Sequence, residues 1–119
     1  VAEYPGIHEA ALSLKGATHD YKEEWGADRF FVGEKMFAMR GTNKEGRDIL
    51  TVKVEPNQGE ILRSENAAVI PGYYMNKSHW VSVLLDEESN EEFLANLLAH
   101  GYEQVLRKLP KYRQKEIEG

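Results

Sequence analysis

The sequence predicts an α+β fold, a two-layer antiparallel sheet with helices on one face, in the order α-β-β-β-α-β-β-α. Three observations predict it. The strand-like runs 29–32, 35–40 and 47–54 are joined by short glycine-bearing connections, Gly33-Glu34 and GTNKEG (41–46), and connections this short link antiparallel neighbours. Within 47–54, Leu50, Val52 and Val54 alternate with Ile49, Thr51 and Lys53, which gives the strand two faces. The closing stretch carries Phe93, Leu94, Leu97, Leu98, Tyr102, Val105, Leu106 and Leu109 at helical spacing.

The elements follow in order. Residues 5–15 read as a helix: Pro5 suits the first turn, Ile7, Ala10, Ala11 and Leu14 form one stripe, and Gly16 stops it. Residues 17–28 are polar around Tyr21 and Trp25, which reads as a loop pinned by its rings. Gly33-Glu34, with glycine first, suits a type II′ hairpin turn. Pro56 opens a short helix over 57–66. A fourth strand lies in either 67–70 or 73–75, after or before which Pro71-Gly72 marks a turn, and 79–85 is the fifth. Ser89 and Glu92 have the spacing of a capping box, Pro110 closes the last helix, and the tail KYRQKEIEG (111–119) lacks an apolar period and is expected to fray.

A chain of 119 residues is the length of a single domain with a modest core, so 1–119 is taken as one unit. Cysteine is absent, which removes disulfides, thiolate metal sites and cysteine nucleophiles and fits a reducing compartment. The net charge of −5 weighs against indiscriminate nucleic-acid binding. No apolar run approaches the roughly 20 residues of a membrane span, and the opening residues resemble no signal peptide. The expected location is the cytoplasm, with no membrane partner.

Chemistry is sparse. Gly41 to Asp48 nearly spells a P-loop, yet Arg47 and Asp48 replace its Lys and Ser/Thr and a strand follows where a helix N-terminus is needed. His8, His19 and His100 have no ligand partner at i+3 or i+4, so the spacing predicts no metal site. His79 has varied neighbours but no carboxylate assignable as its orienter, and the serines show no nucleophile elbow. No catalytic group, metal or cofactor is expected, and the chain reads as a non-enzyme. The 35–53 segment is richer in charge, with five cations (Lys35, Arg40, Lys44, Arg47, Lys53) against two acids (Glu45, Asp48). Either these are solvated edge residues that discourage strand pairing, or the hairpin meets phosphates, with Lys77 adding another cation.

The stretch PGYYMNKSHW (71–80), continuing into VSVLLD, resembles the signature of the MmcQ/YjbR-like family of small bacterial proteins. VGEKMFAM (32–39), LKGATHDYKEEWG (14–26) and the closing YEQVLRKLP are similar to further blocks of that family. The resemblance implies an antiparallel sheet with helices, related to secretion-chaperone-like and frataxin-like folds. It also implies DNA binding by a double-wing arrangement, although most members are uncharacterised. The matching positions are Lys35, Met36 and Phe37, then Pro71, Met75, Asn76, Lys77, His79 and Trp80; Glu34 stands where the family pattern usually has a second glycine. Two readings follow. In the favoured one, Arg40, Lys44, Arg47, Asn76, Lys77 and His79 form a DNA-binding surface. In the other, Tyr73, Tyr74, Met75 and Trp80 line a groove for a protein partner, a second copy of the chain or a ligand. A small enzyme centred on His79 ranks last.

Overall fold

The alternation in 47–54 is realised directly. In the computed structural model, which describes residues 5–72 and 76–119 with Pro5 described for its backbone alone, Leu50, Val52 and Val54 join one apolar cluster. Ile49 lies on the opposite face in a second, smaller cluster with Ala68 and Leu84. Among the described residues the elements run α1 (Pro5–Leu12), β1 (Thr18–Lys22), a 3₁₀ turn (Glu23–Trp25), β2 (Ala27–Val32), β3 (Lys35–Thr42), β4 (Asp48–Lys53), α2 (Pro56–Glu65), β5 (Val69–Pro71), β6 (Trp80–Leu84), α3 (Glu91–Leu106) and α4 (Lys111–Glu118). The strands form one sheet in the order β1-β2-β3-β4-β6-β5, and every neighbouring pair is antiparallel.

Residues 17–28 are the first correction. They are no loop, because 18–22 form β1, an edge strand paired with β2 from Thr18↔Phe31 to Lys22↔Ala27. Four of the five β1 residues are exposed, so no buried face imposes an apolar period of two; the backbone ladder and polar pairs across to β2 hold it as a strand. The fourth strand is 69–71, close to the first of the two alternatives; the other, 73–75, lies outside the described residues.

The Gly33-Glu34 turn also differs. Both central residues have positive φ, 56° at Gly33 and 69° at Glu34, which is a type I′ turn and not type II′. A left-handed non-glycine residue costs roughly 1–2 kcal/mol, and glycine's greater loss of chain entropy on folding returns roughly 0.5–1 kcal/mol of that. Glu34→Gly is therefore expected to stabilise the fold by about 0.5–1 kcal/mol. A higher urea midpoint at unchanged slope is the readout. The Arg113 pair that Glu34 would lose is 3.5 Å long with the carboxylate 91% exposed, and such pairs contribute little.

At the C-terminal end, α3 is capped by Asn90, whose Oδ1 accepts the Phe93 amide at 2.9 Å; the Ser89–Glu92 box does not form the cap. Lys111–Glu118 is helix α4 and not a frayed tail. Its apolar anchor, Ile117, packs on the main core, while Arg107 holds Glu118 at 2.8 Å and Lys15 donates to the Glu118 carbonyl at 2.5 Å. One apolar residue with polar clamps has no periodicity to read.

The helices cover one face of the sheet. Ile7 and Ala11 of α1 and Leu94, Leu97, Leu98, Tyr102, Val105 and Leu106 of α3 share a cluster with Phe30, Phe37, Leu50, Val52, Val81 and Val83. A register shift between Phe30 and Phe31 lets adjacent Phe37 and Ala38 both enter that cluster, as a bulge does. Helix α3 approaches the sheet at Gly101, where an added Cβ would stand 2.5 Å from Val52 Cγ1. The other face carries no described helix.

Candidate functional site

The six residues expected to meet DNA are not brought onto one surface. The 43–47 hairpin loop sits at the end of β4 where Ile49 pairs with Leu84, and the 76–79 turn sits at the end where Lys53 pairs with Trp80. At about 3.3 Å per residue, the length of β4 separates them by roughly 17–20 Å.

Nor are the arginines open to phosphate. Arg47 donates to both Asp86 oxygens, at 2.9 and 2.8 Å, and to Glu87 at 2.5 Å. Those bonds hold the Asp86 carboxyl below its usual range. Asp86 thus serves Arg47 and not His79. Arg40 is half-buried, 3.7 Å from Asp48. Lys44 is exposed at the tip of a hydrogen-bonded turn, in which Asn43 Oδ1 accepts the Glu45 and Arg47 amides at 3.0 and 2.9 Å. The near-P-loop is a hairpin held by an asparagine.

The 76–80 block is largely structural. Asn76 Oδ1 accepts the Ser78 amide at 2.9 Å, and the His79 amide donates to the Asn76 carbonyl at 3.1 Å, closing a turn of the kind Asn builds. The His79 carbonyl accepts from Val54 at 2.8 Å, so this backbone extends the β4–β6 ladder. Trp80 is buried beneath Lys53, whose Nζ lies 5.2 Å from the ring centroid. That removes Trp80 from the partner groove; Tyr73, Tyr74 and Met75 lie outside the described residues. Lys77 is exposed and reaches the Gly72 carbonyl at 3.4 Å. With Ser78, Arg63, Glu60, Pro56 and Pro71 it borders a cleft of about 270 Å³, where Arg63 Nη1 is buried with no hydrogen-bond partner among the described residues.

A larger cleft, about 450 Å³, opens on the helix-free face. Ala27, Met39, Gly41 and Ile49 line it, with Trp25, Glu24 and Thr42. Trp25 is 53% exposed although it is one of the largest apolar side chains in the chain. Its ring is backed by cations: the Arg29 guanidinium and Lys22 Nζ each lie 5.5 Å from the centroid. Arg29 is held in turn by a two-point pair with Asp20. The indole wall is thus pre-positioned. Glu24 stays ionised, its pKa lowered by a hydrogen bond to its own backbone and by Lys22.

Sequence reasoning missed both this cleft and a side-chain cluster on the opposite face. His8 of α1 and His19 of β1 each place Nε2 near Asp28 Oδ1 of β2, at 3.6 and 2.9 Å. A search for ligands one helical turn apart cannot find residues that α1 docking and β1–β2 pairing bring together. His100 is elsewhere, accepting the Glu55 amide at 3.2 Å through Nε2, and burial lowers its pKa. No described helix is long and apolar enough to cross a membrane.

The YjbR family model matches residues 12–104. The chain is 30% identical over 104 residues to the uncharacterised protein YjbR of Escherichia coli (strain K12), covering 87% of each. It is 32% identical over 90 residues to uncharacterised YbdF of Escherichia coli O157:H7, covering 76% of this chain and 73% of that one. A Deinococcus radiodurans crystal structure of the DUF419 domain family superposes with a TM-score of 0.80 at 28% identity, covering 94% of this chain and 85% of the other. A Pseudomonas syringae structure shares the fold, with a TM-score of 0.69 at 22% identity, covering 87% and 98%. A single model spanning most of the chain, two relatives and a superposable structure agree, and the chain belongs to the YjbR family.

Proposed function

We propose that this chain is a non-enzymatic binding module whose ligand enters the cleft on the helix-free face of the sheet. The observation that supports it is the cleft of about 450 Å³ walled by an exposed, cation-backed Trp25. Small-molecule sites typically occupy about 300–1,000 Å³, mostly apolar with a few placed polar groups. Met39, Ile49 and Ala27 supply the apolar lining, Trp25 a flat surface, and Glu24 and Thr42 a polar rim. The complementary ligand has a flat apolar body and a hydrogen-bond donor at one end, directed to the Glu24 carboxylate.

The non-enzymatic part rests on the lining of this cleft, which among the described residues holds no histidine, serine or lysine.

The test is a titration of the chain with fused-ring aromatic amines, read by Trp25 emission in a Trp80→Phe background and by thermal shift. Saturable quenching is expected. Trp25→Ala, read by thermal shift, is expected to weaken affinity about tenfold, the scale of one well-placed aromatic contact. Absence of saturation, or equal affinity after Trp25→Ala, would overturn the proposal.

A second reading keeps the nucleic-acid expectation but moves it to the smaller cleft. The buried Nη1 of Arg63 beside exposed Lys77 and Ser78 suits a phosphate oxygen. A mobility-shift titration with mixed-sequence duplex DNA at low salt distinguishes the two: on this reading Lys77→Glu weakens binding, and on the first the wild-type chain does not shift the duplex.

A further inference from the structure

The helix-covered face contains a group of side chains that nothing in the binding reading uses. His8, His19 and Asp28 come from three elements, α1, β1 and β2. One potential ligand atom from each lies within 4.8 Å of the others. From these positions we propose that the chain binds one zinc-class divalent ion through His8 Nε2, His19 Nε2 and a carboxylate oxygen of Asp28.

The local fold explains the convergence. On the β1–β2 ladder His19 is opposite Phe30 and Tyr21 is opposite Asp28, so His19 and Asp28 are diagonal neighbours on one face. That is the face on which α1 packs, its Ile7 and Ala11 sharing the main core with Phe30. This brings His8 over the same spot. Phe30, fully buried, backs both imidazoles, with its ring centroid 5.3 Å from each. The two imidazoles meet edge to face at 5.1 Å. The rings are therefore packed in place and not free to wander.

The distances fit a metal. Bonds of about 2.0–2.1 Å in a tetrahedral zinc site put ligand atoms about 3.3–3.4 Å apart. The observed 3.6 and 2.9 Å to Asp28 Oδ1 bracket that value, and all three ligand atoms lie within 4.8 Å of one another, so an ion enters once the side chains draw in around it. Two imidazoles and one carboxylate suit zinc-class ions better than magnesium or calcium, which prefer all-oxygen sites. Three protein ligands leave a position for water, as open zinc sites do. Solvent can reach it, since the side chains of His8, His19 and Asp28 are 36%, 29% and 19% exposed. Across the ladder Arg40 stands opposite Asp28 in register, with a guanidinium nitrogen 3.7 Å from Asp48.

The site is separate from the proposed cleft although the two share β2. Ala27 faces the cleft and its neighbour Asp28 faces the histidines, on opposite sides of the sheet. Failure of one proposal leaves the other standing.

The experiment uses the full chain. Zinc chloride is titrated by calorimetry, and cobalt chloride by absorption, whose ligand-field bands report nitrogen and oxygen donors. One ion per chain is expected. His8→Gln, His19→Gln and Asp28→Asn are each expected to weaken binding by at least the roughly 10–100-fold that loss of even an outer-shell partner costs. His100→Gln should leave it unchanged. In the wild-type chain, the His8 and His19 ring resonances should shift on zinc addition, a readout independent of whether any variant folds. No binding at micromolar zinc, variants equal to wild type, or shifts confined to other histidines would overturn the proposal.

Discussion

Phe30→Ala is expected to destabilise the fold by about 3–5 kcal/mol, the range for removing a buried phenylalanine. Phe30 is fully buried and lies where three packing relationships meet. Its ring contacts Phe37 at 6.5 Å, which in turn meets Tyr102 edge-on at 5.8 Å, joining β2 and β3 to α3. It also backs His8 and His19 at 5.3 Å, joining α1 and β1. The surrounding strands are paired on both sides, so the hole cannot collapse and the cavity cost adds to the lost transfer energy. Against a total stability of roughly 5–15 kcal/mol, the loss is large. Urea unfolding by circular dichroism should show the midpoint fall at constant slope. Phe30→Leu should recover much of it.

Gly101→Ala is expected to destabilise by about 1–3 kcal/mol, the cost of overpacking, although alanine is the better helix former by about 1 kcal/mol. The sign is decided by what the new methyl meets: Val52 Cγ1 at 2.5 Å, and the carbonyl oxygens of Lys53 and Phe37 at 3.1 Å each. A flexible side chain could yield; a β-branched residue on a central strand and two backbone oxygens cannot. Helix α3 must tilt or lift, and Tyr102 beside it would strain its 2.5 Å hydrogen bond to the Lys15 carbonyl. Chemical denaturation reads the effect. A stabilised variant would show that α3 is not seated at Gly101.

How much of this was legible depends on how far each signal reaches along the chain. Leu50, Val52 and Val54 were assigned to one face by a period of two, and they occupy one core. The last helix was assigned by its apolar spacing, and Leu94, Leu97, Leu98, Tyr102, Val105 and Leu106 are buried. Strand β1 and helix α4 were not legible. β1 is exposed at an edge, and α4 is held by Ile117 and polar clamps. Neither has a buried face to write a period into the sequence. Positive φ at Glu34 was invisible for the opposite reason, because the residue there is not the one its conformation prefers.

The candidate sites were less legible still. The family signature around 76–80 was found in the sequence, yet Asn76 closes a turn and Trp80 is buried. By its hairpin position Arg47 reads as either a solvated edge cation or a phosphate contact, and it is held by Asp86 and Glu87 from 39 and 40 residues away.

What the sequence determined by itself was the strands β2, β3, β4 and β6, the places of the two hairpin connections that join β2, β3 and β4, the closing helix and the family. Each is written in spacing between neighbours, through side-chain alternation, helical period or turn chemistry. Tertiary structure alone decided which charges are paired, that Trp25 is left exposed beside a cleft, and that His8, His19 and Asp28 meet. Those outcomes depend on strand register and helix docking, which bring together residues whose local sequences carry no record of one another.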